Sequence, residues 1–176
     1  VRFQLLGFVV RQDPGAVTMA AIEAWLAEGV IEYLGATDDV LPYLQAVDCV
    51  VLPSYYREGM PRVLLEAASV AKPVIAADST GCRDALINGV SGLLCKPRDA
   101  ADLAEKMLQM IRMSTASRQE MGRQGRQLML ARFDERQVLE RYLAVVKQVT
   151  TSADMPRAEA VSGGFLATEP RRGLEP

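Results

Sequence analysis

The segment Asp48–Asp78, D-C-V-V-L-P-S-Y-Y-R-E-G-M-P-R-V-L-L-E-A-A-S-V-A-K-P-V-I-A-A-D, decides the fold. Cys49 to Leu52 is a short apolar run closed by Pro53, and Val74 to Ala77 is a second closed by Asp78. Short uninterrupted apolar runs are how strands covered on both faces read. Between them the loop Ser54 to Met60 leads to Pro61, a residue suited to a first helical turn because the N–H it lacks would have no partner there. Strand, loop, helix and strand make a βαβ unit whose helix N-terminus faces the carboxyl end of the first strand. Ligands of open α/β sheets bind at that edge, and the N–H groups and partial positive charge of a helix N-terminus favour a phosphate or other anion.

Two carboxylates flank this turn, Glu58 in the loop and Glu66 eight residues on, inside the helix. Helical spacing puts Leu64, Ala67, Ala68 and Ala71 on a buried face, while Val63, Leu65 and Val70 make most of the remainder apolar. Arg62, Glu66 and Ser69 are left as a narrow polar strip. On spacing alone Glu66 reads as an i,i+4 partner of Arg62 and Glu58 as a solvated loop acid. The local pattern does not separate that reading from a ligand-binding one.

Composition removes several classes. A chain of 176 residues is long enough for one domain with a core. Its net charge of −2, with acids and bases interspersed, gives no footprint of a nucleic-acid partner. The longest apolar runs fall short of the roughly 20 residues a bilayer crossing needs. Cys49, Cys82 and Cys95 show no C-x-x-C spacing, so neither a zinc ribbon nor a disulfide framework is expected, and a reducing cytoplasm fits best. Histidine is absent, which excludes His-based triads, His-ligated metals and His general bases from this chain. Asp38 and Asp39 are adjacent rather than spaced as D-x-D, and no metal cofactor is expected.

Working outward, Phe3 to Val10 reads as a strand, and Pro14 to Glu28 as a helix capped by Asp13 with Trp25 in the core. Val30 to Leu34 is a strand, followed by the turn Gly35 to Asp39 and a helix over Val40 to Ala46. After the central unit, Ser79 to Arg83 is a small-residue loop before a short helix to Leu86, and Gly92 to Cys95 is the last strand. Asp99 to Met113 is an amphipathic helix with Asp99 as its cap and Leu103, Met107, Met110 and Ile111 on its apolar line, its methionines core rather than cofactor ligands. Ser117 to Ala131 is a basic helix, fitting a solvated face or peripheral contact with an anionic membrane surface. Asp134 to Val149 is the final helix. Strands alternating with helices predict an α/β class with a Rossmann-like parallel sheet and helices on both faces. Residues 1–149 form the expected domain, in partial form, and the Pro-, Gly- and Ser-rich residues 150–176 an expected disordered tail.

The run P-S-Y-Y-R-E-G-M-P-R-V-L-L-E-A-A, followed by K-P-V-I-A-A-D-S-T-G-C-R-D, resembles the retaining glycosyltransferases of family 4 (group 1), which have the two-domain GT-B architecture. The likeness continues through N-G-V-S-G-L-L at Asn88 to Leu94 and P-R-D at Pro97 to Asp99. It implies that Glu58, the catalytic position of the pattern, holds hydroxyls of the transferred sugar as a positioning group rather than a nucleophile. It further implies that Glu66 holds the nucleotide ribose, that Gly59, Met60, Arg62 and Val63 line the donor sugar and diphosphate, and that the turn with Gly35, Thr37 and Asp39 holds the base. For that turn the residues leave a second reading open, in which Asp38 caps the following helix. Pro61 stands where the family commonly has glycine, and the loop from Ser79 closes over the donor. The implied activity is transfer of a sugar from a nucleoside diphosphate, expected to be a UDP-sugar, to an acceptor hydroxyl with retention, in lipopolysaccharide, O-antigen or capsule synthesis. The nucleotide-sugar is a substrate, and no further cofactor is implied.

The resemblance also implies, before Phe3, a strand and helix carrying an Arg and a Lys for the diphosphate, and an N-terminal domain that binds a lipid-linked or glycan acceptor. In a sheet of order 3-2-1-4-5-6 the first strand is central. Without it two strand edges in the middle of the sheet lack partners, so the chain alone is expected to fold poorly, slide its strands together or pair with another chain. The chain is thus read as the C-terminal part of a longer enzyme or a truncated product. The competing readings are an inactive nucleotide-binding fragment, a nucleotide-sugar 2-epimerase, whose histidine-bearing region has no counterpart here, and a dinucleotide-binding protein, against which stands the lack of G-x-G-x-x-G.

Overall fold

The two apolar runs of the central segment are adjacent parallel strands. The computed structural model describes residues 1–9, 16–56 and 59–151. The elements in chain order are β1 (Gln4–Leu5), α1 (Met19–Ala27), β2 (Glu32–Tyr33), α2 (Leu41–Ala46), β3 (Val50–Leu52), α3 (Arg62–Ser69), β4 (Val74–Ala77), α4 (Thr80–Ala85), β5 (Gly92–Cys95), α5 (Ala100–Arg112), α6 (Thr115–Arg132) and α7 (Glu135–Thr151). They fall into two units, Val1–Glu135 and Arg136–Pro176. Strands β3, β4 and β5 form one parallel sheet in that order, with Val50 opposite Val74 and Val74 opposite Gly92. Strands β1 and β2 form a separate parallel pair, Gln4 opposite Glu32 and Leu5 opposite Tyr33.

This is the expected Rossmann-like α/β class, in two pieces. No ladder joins β1 to β3 among the described residues. Both strands therefore keep an unpaired edge, and the strands have not slid together. Burial follows from this. Every residue of β4, which has neighbours on both sides, is buried, whereas β3, paired on one side, is half-buried throughout. The expectation that both strands are fully covered holds for β4 only.

Because strand side chains alternate between faces, β4 divides its residues between two clusters. Val74 and Ala76 join Leu44, Leu64, Ala67, Cys82, Ala85 and Leu86 from α2, α3 and α4. Ile75 joins Leu93, Met110 and Met121, with Leu103, Met107 and Met113 packed on it. The methionines are thus core, as their spacing predicts. Burying a side chain such as Leu64 or Ile75 stabilises by roughly 1.5–3 kcal/mol, and both are almost fully buried. Helix α6 also packs on α3, Leu128 and Met129 against Ala68. The approach is close at Gly122, where a Cβ would collide with the carbonyl of Ala71.

Several local expectations need correction. Helix α1 begins at Met19, capped by Thr18, whose hydroxyl accepts the Ala21 N–H at 3.2 Å; Asp13 and Pro14 lie outside the described residues. Trp25 is exposed rather than core, because the two-stranded sheet beneath α1 offers area enough to bury only Ile22 fully. Strand β1 stops at Leu5, and Gly7 follows at a φ of +150° that other residues rarely adopt. Residues from Thr80 are helical, so the loop expected over Ser79 to Arg83 is mostly α4, with Gly81 and Cys82 buried. On α5, Ile111 points outward and Met113 packs in its place. Arg118 leaves the solvated face assigned to its helix: its Nη1 donates to the Met113 carbonyl at 2.6 Å. Arg123 and Arg126 are exposed as expected. Helix α7 runs to Thr151 with Val138, Leu139, Tyr142, Leu143 and Val146 exposed; residues 152–176 of the expected tail lie outside the described residues. Among the described residues no helix is long and apolar enough to cross a membrane.

Candidate functional site

At the carboxyl end of β3 the chain turns into α3 through Pro61, whose φ of −65° and ψ of 123° place it as the residue before the helix rather than within it. No side chain caps α3. The Leu64 N–H donates to the Pro61 carbonyl at 3.1 Å, while the amides of Arg62 and Val63 belong to the first turn, which a helix cannot satisfy from within. Met60 and Val63 pack against the cluster around Leu64 and Ala67. Their side chains are thereby committed to the core, and what they can offer a ligand is backbone. Gly59 is exposed with open space about its Cα. Arg57 and Glu58 lie outside the described residues.

Glu66 accepts a hydrogen bond at Oε1 from Arg62 Nε at 2.7 Å, with the arginine side chain 89% exposed and the carboxylate 28%. The spacing reading of an i,i+4 pair is correct as geometry. An exposed pair of this kind contributes about 0.3–0.5 kcal/mol. Ser69 completes the strip, its hydroxyl donating to the Glu66 carbonyl at 2.7 Å.

The turn after β2 is closed by its own side chains. Gly35, at a φ of +73°, accepts the Gly7 N–H at 2.8 Å, and Tyr33 Oη donates to the Gly7 carbonyl at 2.8 Å, tying the ends of β1 and β2 together. Thr37 Oγ1 accepts the Asp39 N–H at 3.1 Å and donates to the Asp39 carbonyl at 3.0 Å. Asp39 Oδ1 accepts the Leu41 N–H at 3.1 Å, but the cap position of α2 is Val40 and no side chain caps the helix, so the reading of Asp38 as its cap is not met. Helix α2 carries this turn onto α3: Val40 and Leu44 pack with Leu64 and Ala67, and Lys72 Nζ donates to the Gln45 carbonyl at 2.7 Å.

The other strand ends of the larger sheet carry charge and aromatic surface. Asp78 at the end of β4 pairs with Arg83 at 2.7 Å. In the loop after β3, Tyr55 and Tyr56 stack with ring centroids 4.8 Å apart, and the Arg98 guanidinium, from the turn after β5, lies 4.3 Å from the Tyr55 ring centre. Spacing reasoning misses this contact, since a cation meeting a ring across two loops leaves no periodic trace. A shallow hollow beside Glu105, Leu108, Gln109, Arg112 and Met113 lies on α5, away from these residues. Among the described residues no three His, Cys, Asp or Glu side chains gather as metal ligands. Burial pushes Cys49 up to about 12, Arg118 pulling against it and Asp48 adding to it, and burial likewise raises Cys95 with Asp102 adding.

Parallel strands between helices, with an uncapped helix N-terminus at the carboxyl edge, define a Rossmann-like α/β domain of the GT-B kind. Residues 18–128, more than half of the chain, match the family described as glycosyl transferases group 1, and the chain belongs to that family. It is 35% identical over 125 residues to an N,N'-diacetylbacillosaminyl-diphospho-undecaprenol alpha-1,3-N-acetylgalactosaminyltransferase of Campylobacter jejuni, a match covering 71% of this chain and 32% of that enzyme. Among solved structures it is similar to HepE of Anabaena in complex with UDP (TM-score 0.74, 24% identity, 84% of this chain and 41% of that one). The same protein in complex with UDP and glucose matches at TM-score 0.65 and 25% identity, covering 73% and 35%. Sucrose-phosphate synthase of Thermosynechococcus elongatus matches at TM-score 0.71 and 26% identity, covering 84% and 38%. The chain thus spans about a third of the length of the Campylobacter relative.

Proposed function

We propose that the protein carrying this chain is a retaining glycosyltransferase that moves a sugar from a UDP-sugar to a hydroxyl of a lipid-linked or glycan acceptor, in synthesis of a cell-surface polysaccharide or lipopolysaccharide on the cytoplasmic side. The observation that carries the reading is the β3–α3–β4 unit of a group 1 glycosyl transferase, with Glu66 presented from an uncapped α3. UDP and glucose in the HepE complex support the donor class. The diphospho-undecaprenol acceptor in the name of the Campylobacter relative supports a lipid-linked acceptor.

In this reading the Arg62 and Val63 amides, with the helix dipole behind them, face the diphosphate as it takes on charge, in a cleft where such dipoles act strongly. Glu66 turns from Arg62 to accept ribose hydroxyls, Glu58 positions the sugar, and the Gly35–Asp39 turn meets the base through backbone groups because Thr37 and Asp39 already close the turn. The acceptor oxygen bonds to the anomeric carbon on the face from which the diphosphate departs, the bond to the diphosphate breaks, and the acceptor proton passes to the departing phosphate oxygen. No protein nucleophile and no metal enters. The test is the intact protein with a panel of UDP-sugars and acceptors, UDP release being measured and the anomeric configuration of the product read by NMR. Inversion, or no UDP release from any donor, refutes it.

The unpaired edges of β1 and β3 favour a second reading for residues 1–176 by themselves: a nucleotide-binding fragment without turnover. The purified chain would then self-associate or melt broadly and release no UDP. A monomer that melts sharply and turns over a UDP-sugar refutes that reading.

A further inference from the structure

We propose that Lys72 is a positioning residue for the nucleotide-sugar, holding α2 against the end of α3 so that the Gly35–Asp39 turn and Glu66 address one nucleoside. This rests on the donor reading above and adds to it a residue that touches no substrate. Lys72 Nζ donates to the Gln45 carbonyl at 2.7 Å, across 27 residues of sequence. Gln45 lies in the last turn of α2, whose carbonyls have no partner within the helix and whose dipole favours a cation there. The bond therefore joins the helix that leaves the turn to the helix that carries Glu66, where among the described residues no strand ladder does so.

The two ends of the bond are held unequally. Lys72 is fixed at its backbone. The Ala71 N–H donates to the Ala68 carbonyl at 2.9 Å and the Lys72 N–H to the Ala67 carbonyl at 3.0 Å, the paired bonds that close a helix through a left-handed residue, here Ala71 at a φ of +57°. Helix α6 leaves that position no room to shift, since a Cβ on Gly122 would collide with the Ala71 carbonyl. The next residue, Pro73, accepts the Val50 N–H at 3.1 Å. Helix α2, by contrast, is six residues long, has no side-chain cap and buries one residue fully, Leu44. A helix this short does not hold its own position. Its other contact with the cluster around Leu64, Val40, stands four residues before Leu44 and so on the same line along the helix. Two points on one line keep α2 on the core but let it roll about that line. A third point at Gln45, off the line, stops the roll. The roll would reach the turn directly, because the Leu41 N–H donates to Asp39 Oδ1 and the Asp39 N–H to Thr37 Oγ1, each at 3.1 Å. A hydrogen bond of this kind shifts an equilibrium about 2- to 10-fold.

The test compares the intact protein with its Lys72→Met and Gln45→Ala variants. Methionine keeps an apolar stem at this half-buried position and removes the donor, whereas alanine at 45 keeps the accepting carbonyl. Two ligands are titrated by calorimetry, UDP and ribose 5-diphosphate, the same molecule without its base, and donor and acceptor KM and kcat are measured beside them. Lys72→Met is expected to weaken UDP about 2- to 10-fold and to leave ribose 5-diphosphate within about 1.5-fold. Donor KM should rise with the Kd for UDP, acceptor KM and kcat should not move, and Gln45→Ala should match the wild type. Equal weakening of both ligands overturns the positioning role, because it makes Lys72 a residue kept for the fold. Weakening of neither overturns it as well, because the bond is then idle. A Gln45→Ala variant that behaves like Lys72→Met moves the effect from the carbonyl to the glutamine side chain and overturns the tie. A wild-type protein that holds UDP no tighter than ribose 5-diphosphate overturns this role and leaves the donor reading standing, whereas one that binds no UDP overturns the donor reading and this role with it.

Discussion

Glu66→Ala separates a structural carboxylate from a ligand-binding one. In the structure the carboxylate meets Arg62 at 2.7 Å, the arginine side chain being 89% exposed. Solvent screens such a pair, and its loss should cost about 0.3–0.5 kcal/mol, or roughly 1–2 °C in Tm for a protein of this size or larger. If the same carboxylate accepts ribose hydroxyls, its removal withdraws a charge-assisted hydrogen bond of about 1.5–3 kcal/mol, which raises the Kd for UDP roughly 10- to 150-fold. The two quantities differ enough to be told apart in one pair of experiments on the intact protein, calorimetric titration with UDP and a thermal melt. Glu58→Ala is the control: it should leave the UDP Kd within about threefold and lower kcat, because its proposed partner is the sugar, which UDP lacks. Equal losses of UDP affinity in both variants, or an unchanged Kd in Glu66→Ala, refute the assignment. A fall in Tm of more than about 5 °C in Glu66→Ala would instead show a carboxylate kept for the fold.

Ala71 ends α3 at a φ of +57°, and Ala71→Gly removes a left-handed penalty of about 1–2 kcal/mol at the cost of about 0.5–1 kcal/mol in unfolded-state entropy, a net gain of roughly 0.5 kcal/mol by urea titration. Lower stability would show that the Ala71 methyl packs usefully. Gly122→Ala drives a methyl into the Ala71 carbonyl and should cost about 1–3 kcal/mol, read as a lower urea midpoint; an unchanged midpoint would mean that α3 and α6 separate freely. Cys49, pushed up to about 12 by burial from an ordinary value of 9.0, stabilises the fold below pH 9, and that contribution is lost as pH rises from about 9 to about 12. Alkylation of Cys49 at pH 9 should accordingly be at least about a hundredfold slower than that of a free thiol, and alkylation at the free-thiol rate would refute its burial.

The elements that repeat a local rule were legible. Val74 to Ala77 reads as a covered strand because four apolar residues stand between Pro73 and Asp78, and it is buried throughout. Asp99 reads as a helix cap, and its Oδ1 accepts the Asp102 N–H. Glu66 and Arg62 read as a pair from their spacing alone. What failed depended on how much surface lay opposite. Trp25 has the periodic position of a core residue, yet the two-residue strands beside α1 leave it exposed. Cys49 to Leu52 has the composition of a central strand, but among the described residues β3 has one neighbour, and composition does not reveal which side of a strand is filled. Arg118 sits among arginines that face water and turns inward, because the chain end of α5 presents an unpaired carbonyl at Met113.

The same limit governs the candidate site. The Gly35–Asp39 turn and the start of α3 are separate stretches of sequence, and each was recognisable by itself. In the structure they are ends of two different sheets, related through α2, whose Leu44 packs on α3, and not through a shared ladder. Among the described residues β1 and β3 each have one unpaired edge. Thr37 and Glu66, proposed to lie by the base and the ribose, therefore stand at the ends of separate sheets among the described residues. A polar residue can be read from sequence as a ligand group long before the backbone that sets its distance from the next one can.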